Sequence, residues 1–250
     1  MSNFKAYSKY YDLLYKDKNY KAEADYVHAL VNKYSIGSKL LLELGCGSGN
    51  HAQYLSKVGY HITGIERSEE MLTEAFKKNI QNFTPLLADI SEYKLQQKFD
   101  VAISLFHVIC YLNSNKDLIN CFKRVNESLV SEGIFIFDVW FAPAVYWLKP
   151  ENRIKELEDE YIKIHRKAAS KLDAEKNIVD VHFTTRVIDK INNSEITITE
   201  HHPMRCFSIP EIDLLALQTG FKLLHAEEFI TGNTPSENTW GVGFVLQKIN

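Results

Sequence analysis

With 250 residues, the chain is long enough for one α/β domain of ordinary size with room for an inserted lobe. Its hydrophobic content of 45% and charged content of 24% are ordinary for a soluble globular protein. Its net charge of −3 argues against a broad nucleic-acid-binding surface, and therefore against an RNA or DNA substrate.

The four cysteines are scattered along the chain without C-x-x-C spacing, at positions 46, 110, 121 and 206. They indicate a reducing, cytoplasmic setting with neither zinc nor disulfides. No secretory leader is expected, and no apolar run approaches the ~20 residues that a membrane-spanning helix needs.

Residues 1–36 precede the predicted core and are interpreted as a helical lid. Residues 20–34 carry apolar side chains at a helical period. Tyrosines are dense at positions 7, 10, 11, 15 and 20. They either pack over the core or, because tyrosine faces attract cations, cover a cationic ligand.

Residues 39–57 carry the pattern around which the chain is organised. An apolar run at 39–44 predicts a buried strand, Gly45-Cys46-Gly47-Ser48-Gly49 follows it, and a helical pattern begins at position 51. Glycines let a ligand approach the backbone, and the helix start offers free N–H groups. Glu43 would repel a pyrophosphate, so the loop suits a ligand carrying an ammonium or sulfonium group.

Acidic residues also end the next two predicted strands. Residues 60–66 end in Glu66, about 20 residues beyond the loop, where an acid accepts hydrogen bonds from ribose hydroxyls in nucleotide-binding folds. Ser68 is the expected N-cap of a helix that runs to about position 79. Residues 83–90 form a third predicted strand ending in Asp89.

The fourth predicted strand, residues 99–106, leads into the segment His107 to Leu112. That segment would lie beyond the carboxyl end of the strand, where ligands bind in open α/β sheets. A helix capped by Asn113 or Ser114 and a fifth strand at 134–139 are predicted to follow it.

Residues 150–207 break the alternation of strands and helices. Segments 153–167, 177–190 and 195–206 are rich in β-branched and alternating residues, and Asn192-Asn193-Ser194 is a hairpin signal. They predict an inserted antiparallel sheet. A helix at 210–220 and an antiparallel pair of strands at 221–229 and 240–248 are expected to close the chain.

The pattern Glu43-Leu-Gly-Cys-Gly-Ser-Gly resembles motif I of the class I S-adenosylmethionine (SAM) methyltransferases. Residues 37–140 and 208–248 are similar to that family in order and spacing. The resemblance implies an α/β, Rossmann-like sheet of seven strands in the order 3-2-1-4-5-7-6, with strand 7 antiparallel. Here it would form one domain over residues 1–250, with the lid at 1–36 and the inserted antiparallel sheet at 150–207.

The resemblance also implies SAM as the cofactor and S-adenosylhomocysteine as its product. Asp89 would meet the adenine amine, and Glu66 would meet the ribose. The expected cofactor-binding residues are Tyr11, Tyr15, Tyr20, Glu43, Gly45, Cys46, Gly47, Gly49, Glu66, Arg67, Met71, Asp89, Ile90 and Leu105.

A narrower resemblance involves methyltransferases that act on nucleotide-linked deoxyamino sugars. The segments Tyr11-Asp-Leu-Leu-Tyr-Lys and Glu200-His-His-Pro-Met-Arg-Cys-Phe are similar to theirs. This implies that the inserted sheet helps form a sugar-nucleotide pocket and often assists dimerisation, so a small-molecule partner and a monomer or homodimer are expected. The chain departs from the sugar N,N-dimethyltransferases in one place: they carry Gly-His-Leu where it has Cys110-Tyr111-Leu112.

Methyl transfer from SAM is an in-line displacement that needs proximity, alignment and a dry site, and a hydroxyl acceptor also needs a general base. His107 and Tyr111 are expected nearest the methyl group. Positions 201, 203 and 205 share one strand face, so His201 and Arg205 would face the cleft, with Arg205 toward a phosphate. The expected catalytic residues are His107, Tyr111 and His201, and the expected substrate-binding residues are Trp140, His202 and Arg205. No metal site is expected, because adjacent histidines point to opposite strand faces.

The leading interpretation is SAM-dependent methyl transfer to an amino or hydroxyl group of a nucleotide-linked sugar. A SAM-dependent methyltransferase for another small metabolite, a nicotinamide oxidoreductase and a non-catalytic SAM-fold binding protein are the alternatives. Glu43 argues against the oxidoreductase. So does the third glycine of the loop, which comes one place earlier than in the G-x-G-x-x-G pattern of dinucleotide-binding folds. Acids at the ends of the first three strands argue against the non-catalytic protein.

Overall fold

The structure is a computed structural model that describes residues 13–249. Eleven strands lie within that range, and the helices are interspersed among them. The strands are β1 (Leu40–Leu44), β2 (His61–Glu66), β3 (Phe83–Leu87), β4 (Phe99–Ser104), β5 (Leu129–Trp140), β6 (Arg153–Glu158), β7 (Ile162–Asp173), β8 (Ile178–Asp189), β9 (Glu195–Arg205), β10 (Phe221–Glu228) and β11 (Gly241–Lys248). The α-helices after residue 19 are α1 (Tyr20–Tyr34), α2 (Asn50–Leu55), α3 (Glu69–Lys77), α4 (Asn115–Ser128), α5 (Ala142–Leu148) and α6 (Ile209–Gln218).

Seven strands form one mixed sheet in the order β10-β11-β5-β4-β1-β2-β3. Strands β1 to β5 pair in parallel, and β11 is antiparallel to both β5 and β10. Counted along the seven strands of this sheet, the order is 3-2-1-4-5-7-6 with strand 7 antiparallel. The fold predicted from the sequence is therefore confirmed.

The sheet is buried on both faces, which explains why its central strands are nearly continuous apolar runs. Alternate residues of β5 serve opposite layers: Phe135 and Phe137 face the layer of α4, whereas Ile134 and Ile136 face the layer of α1 and α2. In the first layer Phe122 packs edge-to-face against both phenylalanines, each at 5.4 Å between ring centroids. Together the two layers fix the carboxyl ends of β1, β2 and β4 at one edge of the sheet.

The inserted segment forms a separate four-stranded antiparallel sheet in the order β6-β7-β8-β9. The sequence analysis treated residues 153–167 as one segment, but a tight turn divides it into β6 and β7. Asp159 makes that turn, because its Oδ1 accepts hydrogen bonds from the backbone N–H groups of Tyr161 and Ile162. Helix α5, between β5 and β6, was not predicted.

One face of the inserted sheet packs toward the carboxyl ends of the central strands. Val179, Val181 and Met204 join the same hydrophobic cluster as Phe137 and Val139 of β5. A smaller cluster joins Leu14 to Ile164 and Val187, so residues just before α1 also pack on this face. None of the helices between residues 13 and 249 is long and apolar enough to cross a membrane.

Replacing Gly64 of β2 by alanine tests the tight packing under the glycine loop. An added Cβ would lie 2.6 Å from Phe83 Cε2 and 2.7 Å from Cys46 Sγ. We expect Gly64→Ala to lower the free energy of unfolding by ~1–3 kcal/mol, because overpacking a close-packed core forces its neighbours to shift. Urea unfolding measures this loss. Gly241→Ala is the control, since its Cβ would meet no heavy atom closer than 3.6 Å, and an equal loss in both variants would contradict the packing argument.

Candidate active site

A cavity of about 1000 Å³, counting its open mouth, lies between the carboxyl edge of the central sheet and the inserted sheet. Its walls come from the glycine loop, from the segment after β4 and from the inner face of the inserted sheet. A smaller pocket adjoins it and is lined by Arg67, Asp89, Ile90 and Leu112. Gly45, Glu66, Val108 and Tyr111 line both, so the two spaces meet at these residues.

The carboxylate of Glu66 holds the glycine loop in place. Its Oε2 accepts a hydrogen bond from Gly47 N at 3.1 Å, and its Oε1 accepts one from Ser68 N at 2.9 Å. Burial raises the pKa of Glu66, and these backbone donors oppose that rise. Gly45 has a φ of +69°, and an added Cβ would lie 2.6 Å from Val108, so this position requires glycine.

Glu43 lies behind the loop and outside the residues that line the cavity. Its Oε1 is 3.7 Å from His51 Nδ1, and His51 Nε2 is 2.6 Å from Glu23 Oε2, which in turn pairs with Lys18. Burial, together with the charge of Glu66, raises the pKa of Glu43 to about 8. Glu43 is therefore protonated at neutral pH and does not present a negative charge to the cavity, contrary to the sequence-based reasoning. His51 and Tyr20, whose rings meet edge-to-face at 5.1 Å, line the cavity in its place.

Asp138 fixes His107 on the wall that follows β4. Its Oδ1 accepts a hydrogen bond from His107 N at 3.2 Å, and its Oδ2 lies 2.6 Å from His107 Nδ1. Phe106 and His107 both have left-handed backbones, with φ of +65° and +62°. Such a conformation is costly away from glycine and persists where surrounding contacts impose it. The buried carboxylate of Asp138 supplies that contact.

Tyr111 connects the wall after β4 to the inserted sheet. Its hydroxyl lies 2.7 Å from His202 Nδ1. Burial raises the pKa of Tyr111, so the phenol keeps its proton at neutral pH. On the same strand as His202, Glu200 is buried, and its Oε1 lies 3.7 Å from His202 Nε2.

The even-numbered residues of β9, not the odd-numbered ones, face the cavity. Glu200, His202 and Met204 are buried, whereas His201 is exposed, stacks on His182 and lies 2.9 Å from Asp180 Oδ1. The strand face assigned from the sequence was the wrong one. The prediction went wrong because charged and polar residues occupy the inner face, so hydrophobicity did not mark it.

Arg205 also points away from the cavity. Its guanidinium donates hydrogen bonds to Glu211 Oε1 at 2.6 Å and to Asn115 Oδ1 at 2.8 Å. Arg166 of β7 lines the cavity instead: it stacks on Phe183 at 3.6 Å and donates to the hydroxyl of Tyr15 at 3.2 Å.

The sequence analysis missed Arg166, Phe183, Glu200 and Asp138. The alternation of β7 contained the signal for Arg166, because Ile164, Arg166 and Ala168 share the face that packs inward.

Most of the other predicted residues lie around the two spaces. Those that line the main cavity are Tyr15, Tyr20, Gly45, Cys46, Gly47, Glu66, Met71, Leu105, His107, Tyr111, Trp140 and His202. Arg67, Asp89 and Ile90 line the adjoining pocket, and Gly49 is the N-cap of α2. Tyr11 lies outside the described residues. Within residues 13–249, no group of three or more His, Cys, Asp or Glu side chains is arranged to hold a metal ion.

The raised pKa of Glu43 predicts a pH-dependent stability. The folded protein holds this proton more tightly than the unfolded chain, where the pKa is near 4.5. The wild type should therefore lose stability relative to Glu43→Gln as the pH rises from 4.5 through about 8. Urea unfolding of both proteins over this range measures the difference. Glu175→Gln, at an exposed turn, serves as the control, and a difference between wild type and Glu43→Gln that stays constant with pH would contradict the assignment.

Comparison with known proteins agrees with this architecture. Residues 41–133 match the family described as methyltransferase domain. The dTDP-3-amino-3,4,6-trideoxy-α-D-glucopyranose N,N-dimethyltransferase of Streptomyces venezuelae is 30% identical over 138 residues, which are 54% of this chain. The chain spans 58% of the length of that relative.

Two solved structures have the same fold over nearly the whole chain. A SAM-dependent methyltransferase from Clostridium acetobutylicum superposes with a TM-score of 0.82 at 20% identity, covering 96% of each chain. The sugar N-methyltransferase KedS8 from a Streptoalloteichus species superposes with a TM-score of 0.83 at 20% identity, covering 96% of this chain and 93% of its own. The resemblance inferred from motif I is thus confirmed. Residues 41–133 therefore carry a segment that matches the methyltransferase domain family, and the fold of the chain is that of these solved methyltransferase structures.

Proposed function

We propose that the protein transfers a methyl group from SAM to the amino group of a nucleotide-linked sugar. The observation that carries this proposal is the junction of the two spaces at Tyr111. The adjoining pocket has the acids and apolar walls that suit an adenosine, and the main cavity has a second wall made by the inserted sheet. A donor and a bulky acceptor can therefore meet beside the glycine loop.

In this proposal SAM lies across the glycine loop. Asp89 and Ile90 hold the adenine in the adjoining pocket, with Arg67 beside them, and Glu66 accepts hydrogen bonds from the ribose. The methionine part extends over residues 45–48 toward Tyr20. The lid predicted at 1–36 is retained in this proposal only for the segment before α1, because Val27, Leu30 and Val31 of α1 are buried in a core layer of the central sheet. Tyr11 keeps its predicted role within that segment.

The acceptor lies in the main cavity, between the segment after β4 and the inserted sheet. His107, Tyr111 and Trp140 form one wall, and Phe183 and His202 form the other. Arg166 replaces Arg205 as the proposed partner of the nucleotide phosphates, because the guanidinium of Arg205 is held by Glu211 and Asn115.

An amine is favoured over a hydroxyl as the acceptor group by the names of similar proteins: one is an aminosugar N,N-dimethyltransferase and another a sugar N-methyltransferase. The chemistry is compatible with the site. Methyl transfer to an amine needs alignment, exclusion of water and removal of one proton. The half-buried imidazole of His107 or the buried imidazole of His202 can take that proton.

We further propose a single domain over residues 1–250 with the inserted sheet at 150–207, acting as a monomer or homodimer. The four cysteines are all free and buried, which supports a reducing compartment such as the cytoplasm.

The test is incubation with SAM and two nucleotide sugars, followed by mass spectrometry. The aminosugar dTDP-3-amino-3,4,6-trideoxy-α-D-glucose should gain one or two methyl groups, and the analogue with a hydroxyl at carbon 3 should gain none.

Arg166→Met should raise the KM for the aminosugar about tenfold or more, since a charged hydrogen bond to phosphate is lost, while leaving SAM binding intact. Lys167→Met, on the exposed face of the same strand, is the control.

Two negative results have different meanings. If S-adenosylhomocysteine binds but no aminosugar of a panel is methylated, the proposed acceptor is wrong. If isothermal titration detects no binding of S-adenosylhomocysteine, the proposed donor is wrong.

A further inference from the structure

Three polar side chains, the half-buried Tyr111 and the buried His202 and Glu200, form a chain of contacts on the acceptor side of the cavity. Tyr111 Oη lies 2.7 Å from His202 Nδ1, and His202 Nε2 lies 3.7 Å from Glu200 Oε1. Tyr111 belongs to the short 3₁₀ helix Val108–Tyr111 after β4, whereas His202 and Glu200 belong to β9. The contact therefore exists only because the inserted sheet is folded over the central one.

The need of Glu200 for a donor indicates the direction of the first hydrogen bond. Burial is the largest influence on the Tyr111 phenol and raises its pKa; Tyr15, Glu200 and Cys110 act in the same direction, and Arg67 opposes them. The neutral phenol can donate to Nδ1 of His202 or accept from it, and the arrangement in which it donates leaves the Nε2 proton of His202 for the carboxylate of Glu200. A neutral His202 that accepts at Nδ1 carries its own proton on Nε2, which is the nitrogen nearest Glu200.

Glu200 is an unusual residue at this position. Only 2% of its side chain is exposed, and neither carboxylate oxygen has a hydrogen-bond donor among residues 13–249. A buried carboxylate is costly unless a cation lies near it. Phe183 lies opposite Glu200 in the sheet, and the guanidinium of Arg166 stacks on the ring of Phe183 at 3.6 Å. The ion pair that the structure gives Glu200 within residues 13–249 is with His202, whose Nε2 lies 3.7 Å from Oε1.

We propose that Tyr111, His202 and Glu200 form the proton relay of the methyl transfer, with His202 as the final acceptor of the proton and Glu200 as a positioning residue behind it. The relay rests on the proposed function in one respect, that the acceptor is an amine. The acceptor ammonium passes one proton to Tyr111 Oη while the proton of Tyr111 moves to His202 Nδ1. The imidazolium that forms lies beside the carboxylate of Glu200.

The freed lone pair of the amine then forms the new C–N bond, the S–CH₃ bond breaks, and its electron pair stays on sulfur. The product leaves as a methylated ammonium ion, and His202 returns its proton to water when the site opens. No other reactant is required.

His107 is the competing base. Asp138 lies at its Nδ1, which leaves Nε2 able to accept a proton. His107 lines only the main cavity, however, whereas Tyr111 lines both spaces. Of the two side chains, Tyr111 therefore lies at the junction where donor and acceptor meet.

Kinetics with the aminosugar that is methylated test the relay. Tyr111→Phe and His202→Asn should each lower kcat about 100-fold or more, which is the typical contribution of acid–base catalysis. Glu200→Gln should lower kcat about tenfold, and Glu200→Asp should restore part of it. His201→Asn and Glu195→Gln, at exposed positions of the same strand, should retain full activity, and every variant should bind S-adenosylhomocysteine like the wild type.

Two outcomes would contradict the relay. If kcat of His202→Asn stays within twofold of the wild type, the relay is wrong. A large loss of kcat in His107→Asn would instead identify His107 as the base.

A second measurement needs no acceptor, and it is made on the wild type. Nitrogen-15 NMR of histidine-labelled wild type, bound to S-adenosylhomocysteine, reports which ring nitrogen carries the proton. His202→Asn serves only to assign the signal. We expect neutral His202 to be protonated at Nε2. Protonation at Nδ1 would overturn the relay even if methylation of the sugar is observed, and protonation at Nε2 would uphold it even if the proposed sugar fails as a substrate.

Discussion

The two hydrogen bonds that Glu66 accepts from Gly47 and Ser68 are the constraint on which the site depends. They join the end of β2 to the loop after β1 and to the start of α3, so three elements are fixed by one carboxylate. This link adds to the hydrogen bonds that the backbone N–H groups of Gly45 and Cys46 donate to Ile65 O at 2.7 and 3.0 Å. The loop in turn sets the position of Tyr111, because Val108 packs against Gly45 at the start of the same 3₁₀ helix.

The inserted sheet converts this edge into an enclosed site. The central sheet and its helices alone would leave His107, Tyr111 and Trp140 open to water on one side. The inner face of β7, β8 and β9 covers them and also brings charged groups, Arg166 and Glu200, into a region of low exposure. Burial of these groups costs folding energy, and a pattern of that kind is more typical of a functional site than of a structural one.

Much of the fold could be predicted from the sequence, and the reasons are physical. Strands buried on both faces are continuous apolar runs, and acids or glycines mark where those runs end, as at Glu43, Glu66 and Asp89. The side-chain directions in the inserted sheet were harder to predict. When polar residues lie inward, the sequence does not show which alternate residues of a strand face the core. The alternation of β9 placed His201 and Arg205 in the cleft, whereas the fold places His202 and Met204 there, with Glu200 buried behind His202.

Residue roles that depend on burial could not be predicted either. Glu43 matches the motif by position, yet burial leaves it protonated behind the loop, and the pocket receives His51 instead. Asp138 sits at the end of a buried strand and was not singled out, because its partner, His107, precedes it by 31 residues. The order of strands in the sheet determines such pairs, because it places β4 beside β5 and so brings His107 close to Asp138.

The most direct test is a crystal structure of the wild type with S-adenosylhomocysteine and dTDP-3-amino-3,4,6-trideoxy-α-D-glucose bound together. The account predicts the sugar nitrogen within hydrogen-bond distance of Tyr111 Oη, facing the cofactor sulfur, with the diphosphate against Arg166. An aminosugar bound on the outer face of the inserted sheet, beside His201 and away from Tyr111, would contradict it.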